Sequence, residues 1–128
     1  MSPAPREPAA PNPRQALGRR GENLAAAWYE HAGYQILDRN WRCRDGELDL
    51  VLGRGRTVVF CEVKTRSSTR FGAPVEAITA TKQRRLRTLA LRWLADHDRR
   101  GGDLRFDVAS VLIARGREPV LEILEGVF

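Results

Sequence analysis

The sequence predicts a single α/β domain in which helices flank a mixed central sheet. Three observations support this prediction: two segments of helical periodicity, three strands joined by short turns between them, and further strands after the second helix. The predicted order of elements is α-β-β-β-α-β-β. A chain of 128 residues is long enough to bury one hydrophobic core but not two.

The first helix is predicted over residues 14–32, because its apolar positions recur at steps of three and four residues. These positions are Leu17, Gly21, Leu24, Ala25, Trp28 and Ala32. Gly33 follows them and is expected to end the helix. Five of the seven prolines fall within residues 1–13, so we expect a disordered proline-rich tail there, followed by a single domain over residues 14–128.

Three strands are predicted after the first helix, at residues 34–42, 47–52 and 57–65. Asp45-Gly46 is a strong signal for a hairpin turn between the first two of them. A second helix is predicted over residues 79–100, and the pair Gly101-Gly102 that follows is expected to end it. Two more strands are expected, at 104–114 and Val120–Leu124.

The composition is that of an ordinary globular protein with a basic surplus. Hydrophobic residues make up 42% of the chain and charged residues 30%, and the net charge is +6. Arginine supplies most of the positive charge, and its planar guanidinium suits phosphate groups. A basic chain is compatible with a polyanionic partner, but the charge alone does not identify one, since many basic domains bind no nucleic acid.

Cysteine and histidine are too few for the common zinc sites or a disulfide framework. The chain has only Cys43, Cys61, His31 and His97, and their spacing matches no zinc motif, so we expect reduced thiols. No apolar run approaches the length of a membrane span, and the N-terminus lacks the apolar core of a signal peptide. We therefore expect a cytoplasmic protein with no membrane association.

The strongest chemical signal lies in the predicted third strand. Alternation places Val58, Phe60, Glu62 and Lys64 on one face of it. A carboxylate next to a buried apolar stretch must be paired or must hold a metal ion, because an unpaired one costs several kcal/mol. Taken alone, this strand is explained equally well by an ordinary ion pair between Glu62 and Lys64.

The preceding strand favours a metal site. Its expected faces are Glu47, Asp49 and Val51 on one side and Leu48, Leu50 and Leu52 on the other. A short antiparallel connection brings Asp49 close to the level of Glu62, and two carboxylates suit Mg²⁺ or Mn²⁺ when waters and a substrate phosphate complete the ligand shell. The neighbouring Lys64 would then stabilise the charge that develops on the phosphate or orient the attacking water.

A longer set of motifs surrounds these three residues. It runs through Gly21-Glu22, Asn40-x-Arg42, Gly46-Glu47-Leu48-Asp49-Leu50, Phe60-Cys61-Glu62-Val63-Lys64-Thr65-Arg66, Phe71-Gly72, Glu76-Ala77 and Lys82. Over residues 18–125 this pattern resembles the YraN-like family within the PD-(D/E)xK nuclease superfamily. The resemblance implies a restriction-endonuclease-like fold with an α-β-β-β-α-β core. Leu48 stands where the superfamily pattern has a proline.

The resemblance also implies roles for individual residues. Asp49 and Glu62 correspond to metal ligands, Val63 contributes a further metal contact, and Lys64 corresponds to the catalytic lysine. Glu22 matches an acidic residue on the first helix of Holliday-junction-resolvase-like members and joins the candidate catalytic residues. The helical pattern alone gives Glu22 another interpretation, as an exposed glutamate that stabilises the N-terminal half of its helix.

Several basic residues are candidates for contact with nucleic acid. Arg66 begins a polar loop after the third strand, which can hold phosphates. Lys82 falls on the apolar side at the start of the second helix, so it either points at the acidic cluster or a phosphate, as the resemblance favours, or extends to solvent. Arg85, Arg92 and Arg99 recur every seven residues, a basic stripe that is also typical of a solvated helix face.

Two further predictions concern structural residues. Asp107 is expected to lie on a strand and to pair with an arginine. The three tryptophans are expected to anchor the core rather than to stack on bases; they are Trp28, Trp41 and Trp93.

These inferences predict an endonuclease that uses Mg²⁺ or Mn²⁺ to hydrolyse phosphodiester bonds. DNA is the favoured substrate, in branched or single-stranded form, and RNA is the alternative. Two other function classes compete: a non-catalytic nucleic-acid-binding module on the same fold, and a structural adaptor in which Glu62 and Lys64 only neutralise one another. The intact Asp49, Glu62 and Lys64 favour catalysis. The chain is expected to be a monomer or a homodimer.

Overall fold

The computed structural model describes residues 12–68, 78–99 and 101–128. Its elements are α1 Pro13–His31, β1 Gln35–Cys43, β2 Gly46–Arg54, β3 Thr57–Arg66, α2 Ala80–Asp96, β4 Asp103–Leu112 and β5 Val120–Leu124. The predicted order of elements is confirmed. Residues 1–11 of the expected tail lie outside the described residues, as do Phe71-Gly72 and Glu76-Ala77 of the motif set.

The five strands form one mixed sheet in the order β1-β2-β3-β4-β5. Neighbouring strands run antiparallel except β3 and β4, which are parallel. α2 lies between these two strands in the chain, because a parallel pair needs a crossover connection. α1 packs on one face of the sheet and α2 on the other. This arrangement confirms the α/β class and places β3 at the centre of the sheet.

α1 begins at Pro13, one residue before the predicted start of the domain. Asn12 caps it: the side chain of Asn12 accepts the N–H of Gln15 at 2.8 Å, and the side chain of Gln15 accepts the N–H of Asn12. Pro13 suits the first helical turn, where its missing N–H would have no partner. Gly33 follows the helix with a φ of +93°, as predicted for a terminating glycine.

Two hydrophobic clusters cover the two faces of the sheet. The cluster under α1 consists of Ala25, Ala26, Tyr29, Tyr34, Leu50, Leu52, Val59, Cys61 and Ala109. The cluster under α2 consists of Leu48, Val51, Val58, Phe60, Leu89, Ala90, Trp93 and Phe106. The residues of β3 therefore alternate between the two clusters as predicted.

The buried face of α1 is rotated about the helix axis relative to the predicted buried face. Tyr29 is fully buried, whereas Trp28 is 38% exposed. The Tyr29 hydroxyl donates to the carboxylate of Asp107 at 2.6 Å, which favours Tyr29 for the interior. The prediction that Trp28 anchors the core is therefore wrong. It is confirmed for Trp93, and Trp41 is partly buried against the same cluster.

α2 spans Ala80–Asp96 and ends earlier than predicted. His97 occupies its C-cap, so Arg99 lies beyond the helix. The basic stripe of three arginines is thereby reduced to Arg85 and Arg92 on the helix itself. Among the described residues, no helix combines the length and the apolar character needed to cross a membrane.

Two glycines on α1 have opposite surroundings. A Cβ added at Gly21 would overlap Oγ1 of Thr65 and lie 2.9 Å from its Cβ, because α1 and β3 approach closely here. A Cβ added at Gly18 would meet no atom within 4 Å in residues 12–68, 78–99 and 101–128. The packing of α1 on β3 therefore requires glycine at position 21 but not at position 18.

Gly21→Ala is expected to lower the free energy of unfolding by about 1–3 kcal/mol, because α1 must move away from Thr65. Gly18→Ala, a control on the same helix, is expected to raise it by up to about 1 kcal/mol, since alanine is the better helix former. Urea denaturation of both variants and the wild type measures these changes. Equal stability of the two variants would contradict the close approach of α1 to β3.

Candidate functional site

The candidate site lies where β2 and β3 separate. The backbone ladder between them ends at the pair Leu50 and Cys61. Beyond it the side chain of Asp49 replaces the backbone: its Oδ2 accepts the N–H of Val63 at 2.9 Å. Continuing the antiparallel register places Asp49 opposite Glu62, so the two carboxylates lie at one level of the sheet, as predicted.

The regular alternation of β2 also breaks at Asp49. Leu50 and Leu52 pack under α1, whereas Leu48 packs under α2. Asn40 lies opposite Asp49 on β1 with a φ of +50°, a left-handed conformation that interrupts the pleat. The prediction that Leu48 shares a face with Leu50 and Leu52 is therefore wrong. Asp49 lies at the position where the alternation of side chains between the two faces is interrupted.

Glu62 is held by two lysines. Its Oε1 lies 2.7 Å from Nζ of Lys82 and 3.1 Å from Nζ of Lys64, and its side chain is only 13% exposed. The other carboxylate oxygen, Oε2, is buried and has no hydrogen-bond partner among the described residues. A buried carboxylate oxygen without a hydrogen-bond partner is unfavourable in a folded protein. This oxygen would therefore be stabilised by a cation or by a hydrogen-bond donor that the described residues do not supply.

Carboxylates crowd together at this point. The pKa of Asp49 is raised to about 6, first by burial and then by repulsion from Glu22, Glu62 and Glu47, while the N–H of Val63 acts in the opposite direction. A nearby positive charge would favour the ionised form of Asp49 and lower this pKa again. The electrostatics at Asp49 are therefore those of a group that benefits from a cation.

Lys64 responds to the same carboxylates. Burial lowers its pKa, but the contacts with Lys82 and Glu62 and the charge of Asp49 together outweigh burial, so the pKa is raised above its ordinary value. Lys64 is therefore a charged ammonium group at neutral pH. A group that stabilises negative charge on a phosphate needs this charge.

Glu22 approaches the site from α1. It is half-buried, and its Oε2 accepts a hydrogen bond from Nδ2 of Asn40 at 3.1 Å. This bond ties α1 to the residue that lies opposite Asp49, and Glu22 itself contributes to the raised pKa of Asp49. The structure therefore brings Glu22 to the site, and its catalytic role stays a prediction.

Few protein atoms are available to hold a cation here. Within residues 12–68, 78–99 and 101–128, no three His, Cys, Asp or Glu residues form a group that could hold a metal ion. The candidate ligands are the carboxylates of Asp49 and Glu62 and the carbonyl of Val63, which in an extended strand faces the same edge as the N–H bound by Asp49. This set leaves positions for water and phosphate, as Mg²⁺ or Mn²⁺ requires, and does not fit the usual zinc sites.

Comparison with known proteins identifies the family. The model of "Uncharacterised protein family UPF0102" matches residues 21–111, which contain Asp49, Glu62 and Lys64. The chain belongs to the UPF0102 family. Similar proteins, each named UPF0102 protein, come from Nocardia farcinica, Beutenbergia cavernae and Rhodococcus jostii. They are 52%, 52% and 48% identical to the chain, over 90%, 89% and 88% of its length and 91%, 97% and 96% of theirs. The YraN-like resemblance is confirmed at this level.

In the UPF0102 chain the predicted nucleic-acid-binding residues fall into two groups, one at the candidate site and one away from it. Lys82 points at the acidic cluster, as predicted, through its contact with Glu62. Arg66 lies at the end of β3 and lines a cleft beside the site. Arg85 and Arg92 lie farther along α2, where Arg92 pairs at 2.8 Å with an aspartate of the β1–β2 turn. The structure thus brings Lys82 and Arg66 to the site and leaves the other two outside it.

Asp107 is a structural residue of the UPF0102 chain, as predicted. It is 2% exposed, and its carboxylate accepts two hydrogen bonds of 2.9 Å from Arg105. It also accepts the Tyr29 hydroxyl at 2.6 Å and the N–H of Gly126 at 3.0 Å. These bonds join α1, β4 and the C-terminal segment, so the predicted arginine partner is confirmed within a larger network.

Two groups of residues at the site had not been predicted from the sequence. Asn40 belonged to a recognised motif without a role, although asparagine is among the residues that adopt positive φ most readily. Arg14 and Arg19 line the clefts next to Glu22. Their exposed positions on α1 give no signal that separates them from a solvated helix face.

Proposed function

We propose that this protein is a Mg²⁺- or Mn²⁺-dependent endonuclease that hydrolyses phosphodiester bonds in nucleic acid, with DNA favoured over RNA. The observation that carries the proposal is the buried Oε2 of Glu62, which has no partner in the described part of the chain and lies at the level of Asp49, beside the ammonium group of Lys64. The resemblance of these residues to the PD-(D/E)xK pattern supports the same assignment.

Each residue has a distinct task in this reaction. A cation held by Asp49 and Glu62 would polarise the phosphate and activate a water molecule. The N–H of Val63 fixes the orientation of the Asp49 carboxylate. Lys64 would stabilise the negative charge that develops on the phosphate. Lys82 has a long side chain, 30% exposed, that can turn from Glu62 towards a phosphate group.

A structural adaptor is the second candidate, and one observation favours it. Lys64 and Lys82 both contact Glu62, so its charge is compensated in the absence of a cation. A non-catalytic nucleic-acid-binding module would keep the basic residues without cleaving. Neither alternative needs Asp49 and Glu62 to bind a cation, and this difference is measurable.

A cleavage panel tests the proposal. Linear duplex, single-stranded, flapped and four-way DNA, each with an RNA counterpart, are incubated with the protein and Mg²⁺ or Mn²⁺. We expect the wild type to cleave at least one of them and the Asp49→Asn/Glu62→Gln variant to cleave none. Calorimetry should detect cation binding only by the wild type, because the variant lacks both ligand charges.

The control is Glu30→Gln/Asp96→Asn, which removes the same charge from two exposed acidic residues on the helices. It should cleave and bind cations like the wild type. Equal binding heats for the wild type and the site variant would defeat the metal site. If the wild type binds nucleic acid but cleaves no substrate, the result would contradict the endonuclease and support the non-catalytic nucleic-acid-binding module.

A further inference from the structure

Two open clefts meet over the N-terminal half of α1, and both are lined by Gly18 and Glu22. The first cleft, of about 480 Å³, extends to Lys64 and Arg66 at the end of β3. The second, of about 440 Å³, extends to Arg42 on β1. Because they share two lining residues, the clefts adjoin at α1, and we treat them together as one groove that crosses α1 and extends to Lys64.

Gly18 lies at the crossing point and has no structural reason to be glycine. Its backbone does not adopt the left-handed conformation that glycine favours, and a Cβ there would meet no atom of the described residues within 4 Å. Glycine within a helix costs about 1 kcal/mol relative to alanine. Gly21, three residues later, is required by the packing against Thr65, whereas Gly18 only leaves the helix backbone bare where the clefts meet.

The groove carries a positive surplus. Its cationic lining residues are Arg14, Arg19, Arg42, Lys64 and Arg66. Among the described lining residues two are acidic, Glu22 and Glu47. The described lining residues include no aromatic ring, so a ligand would be held through phosphate contacts rather than by stacking of its bases.

We propose that this groove holds one strand of nucleic acid, which crosses α1 at Gly18 with its phosphates on the arginines and passes Lys64. The inference rests on the proposed function and specifies its substrate as an unpaired strand. The lining residues support this: each cleft has α1 on one side and strand residues on the other, so a ligand enters between two elements. An unpaired strand carries no second strand that these elements would have to accommodate.

Fluorescence anisotropy with a labelled single-stranded oligonucleotide, in EDTA to prevent cleavage, tests the crossing point. Gly18→Phe should weaken binding about tenfold or more, because its ring fills the bare site on α1. Ala27→Phe places the same ring at an exposed position of α1 that lines neither cleft, and should bind like the wild type. Gly18→Phe should melt no earlier than the wild type, since no atom of the described residues lies within 4 Å of the added Cβ and glycine is the poorer helix former.

A pair of adjacent arginines tests the charge contribution. Arg19 lines the groove, whereas Arg20 is exposed on the same helix and lines neither cleft. Arg19→Glu should weaken binding several-fold more than Arg20→Glu and reduce the dependence of the affinity on salt. A duplex of the same length should bind more weakly than the single strand.

The outcomes separate this inference from the proposed function. A wild type that binds the single strand, with Gly18→Phe and Arg19→Glu as tight as their controls, would overturn the groove and leave the endonuclease intact. Duplex binding as tight as single-strand binding would likewise overturn it. A wild type that binds no nucleic acid at all would remove the groove and the nucleic-acid assignment together.

Discussion

Lys64→Ala is expected to lower the rate of single-turnover cleavage by about a hundredfold or more and to weaken substrate binding by much less. The lysine acts mainly on charge that appears in the transition state, so its loss affects the chemical step more than ground-state binding. The fold should tolerate the change, because Lys82 remains 2.7 Å from Glu62 and still compensates its charge.

Single-turnover kinetics, together with thermal melts in the presence and absence of Mg²⁺, measure these effects. Lys82→Ala should instead weaken substrate binding more than the chemical step. Arg117→Ala, which removes an exposed arginine between β4 and β5, should change neither. A Lys64→Ala variant that melts much earlier than the wild type in both conditions, with a wild type that cleaves nothing, would support the adaptor instead.

Asp107→Ala is expected to lower the free energy of unfolding by about 3–5 kcal/mol, the loss typical of breaking a buried ion pair from one side. The substitution leaves the buried Tyr29 hydroxyl without its acceptor and removes the closer carboxylate of Arg105, whose side chain is 23% exposed and keeps Glu125 at 3.7 Å. The pKa of Arg105 is raised chiefly by its hydrogen bonds to Asp107, which reflects the strength of this contact.

Thermal and urea denaturation measure this loss, which corresponds to a decrease in Tm of roughly 10 °C or more for a domain of this size. Asp103→Ala removes an exposed carboxylate from the start of the same strand and should leave Tm almost unchanged. Tyr29→Phe removes one donor and should cost about 1 kcal/mol. Similar melting of the Asp107 and Asp103 variants would show that the buried network adds nothing to stability.

The fold was predictable wherever its signals are local. The terminating Gly33 and the alternation along β3 each depend on a few neighbouring residues, and the structure has both where they were predicted. The hairpin between β1 and β2 is also present, but its turn is Arg44-Asp45 and Gly46 already pairs with Cys43, so the turn lies one residue earlier than the Asp45-Gly46 signal indicated. The level of Asp49 relative to Glu62 followed from the same hairpin geometry. Periodicity and turn chemistry were sufficient for these features.

The remaining features depend on contacts between distant parts of the chain. Tyr29 replaces Trp28 in the core because its hydroxyl meets Asp107, 78 residues away in sequence. The left-handed conformation of Asn40 interrupts the pleat beside β2, so Leu48 lies on the opposite face of the sheet from Leu50. The unpartnered oxygen at the candidate site likewise becomes visible only when burial and partners are both described. Periodicity contains no information on such pairings.

The two lysines on Glu62 also make the proposed binding events interdependent. A cation entering the site competes with both ammonium groups for the same carboxylate, whereas a phosphate attracts those ammonium groups away from it. The phosphate therefore removes the ammonium groups that compete with the cation for Glu62, and the cation releases those ammonium groups to bind phosphate. Thermodynamic linkage requires that phosphate raise the affinity for the cation by the same factor by which the cation raises the affinity for phosphate. Under the proposed function, such reciprocity makes the joint arrival of metal and nucleic acid, rather than the metal concentration alone, the condition for activity.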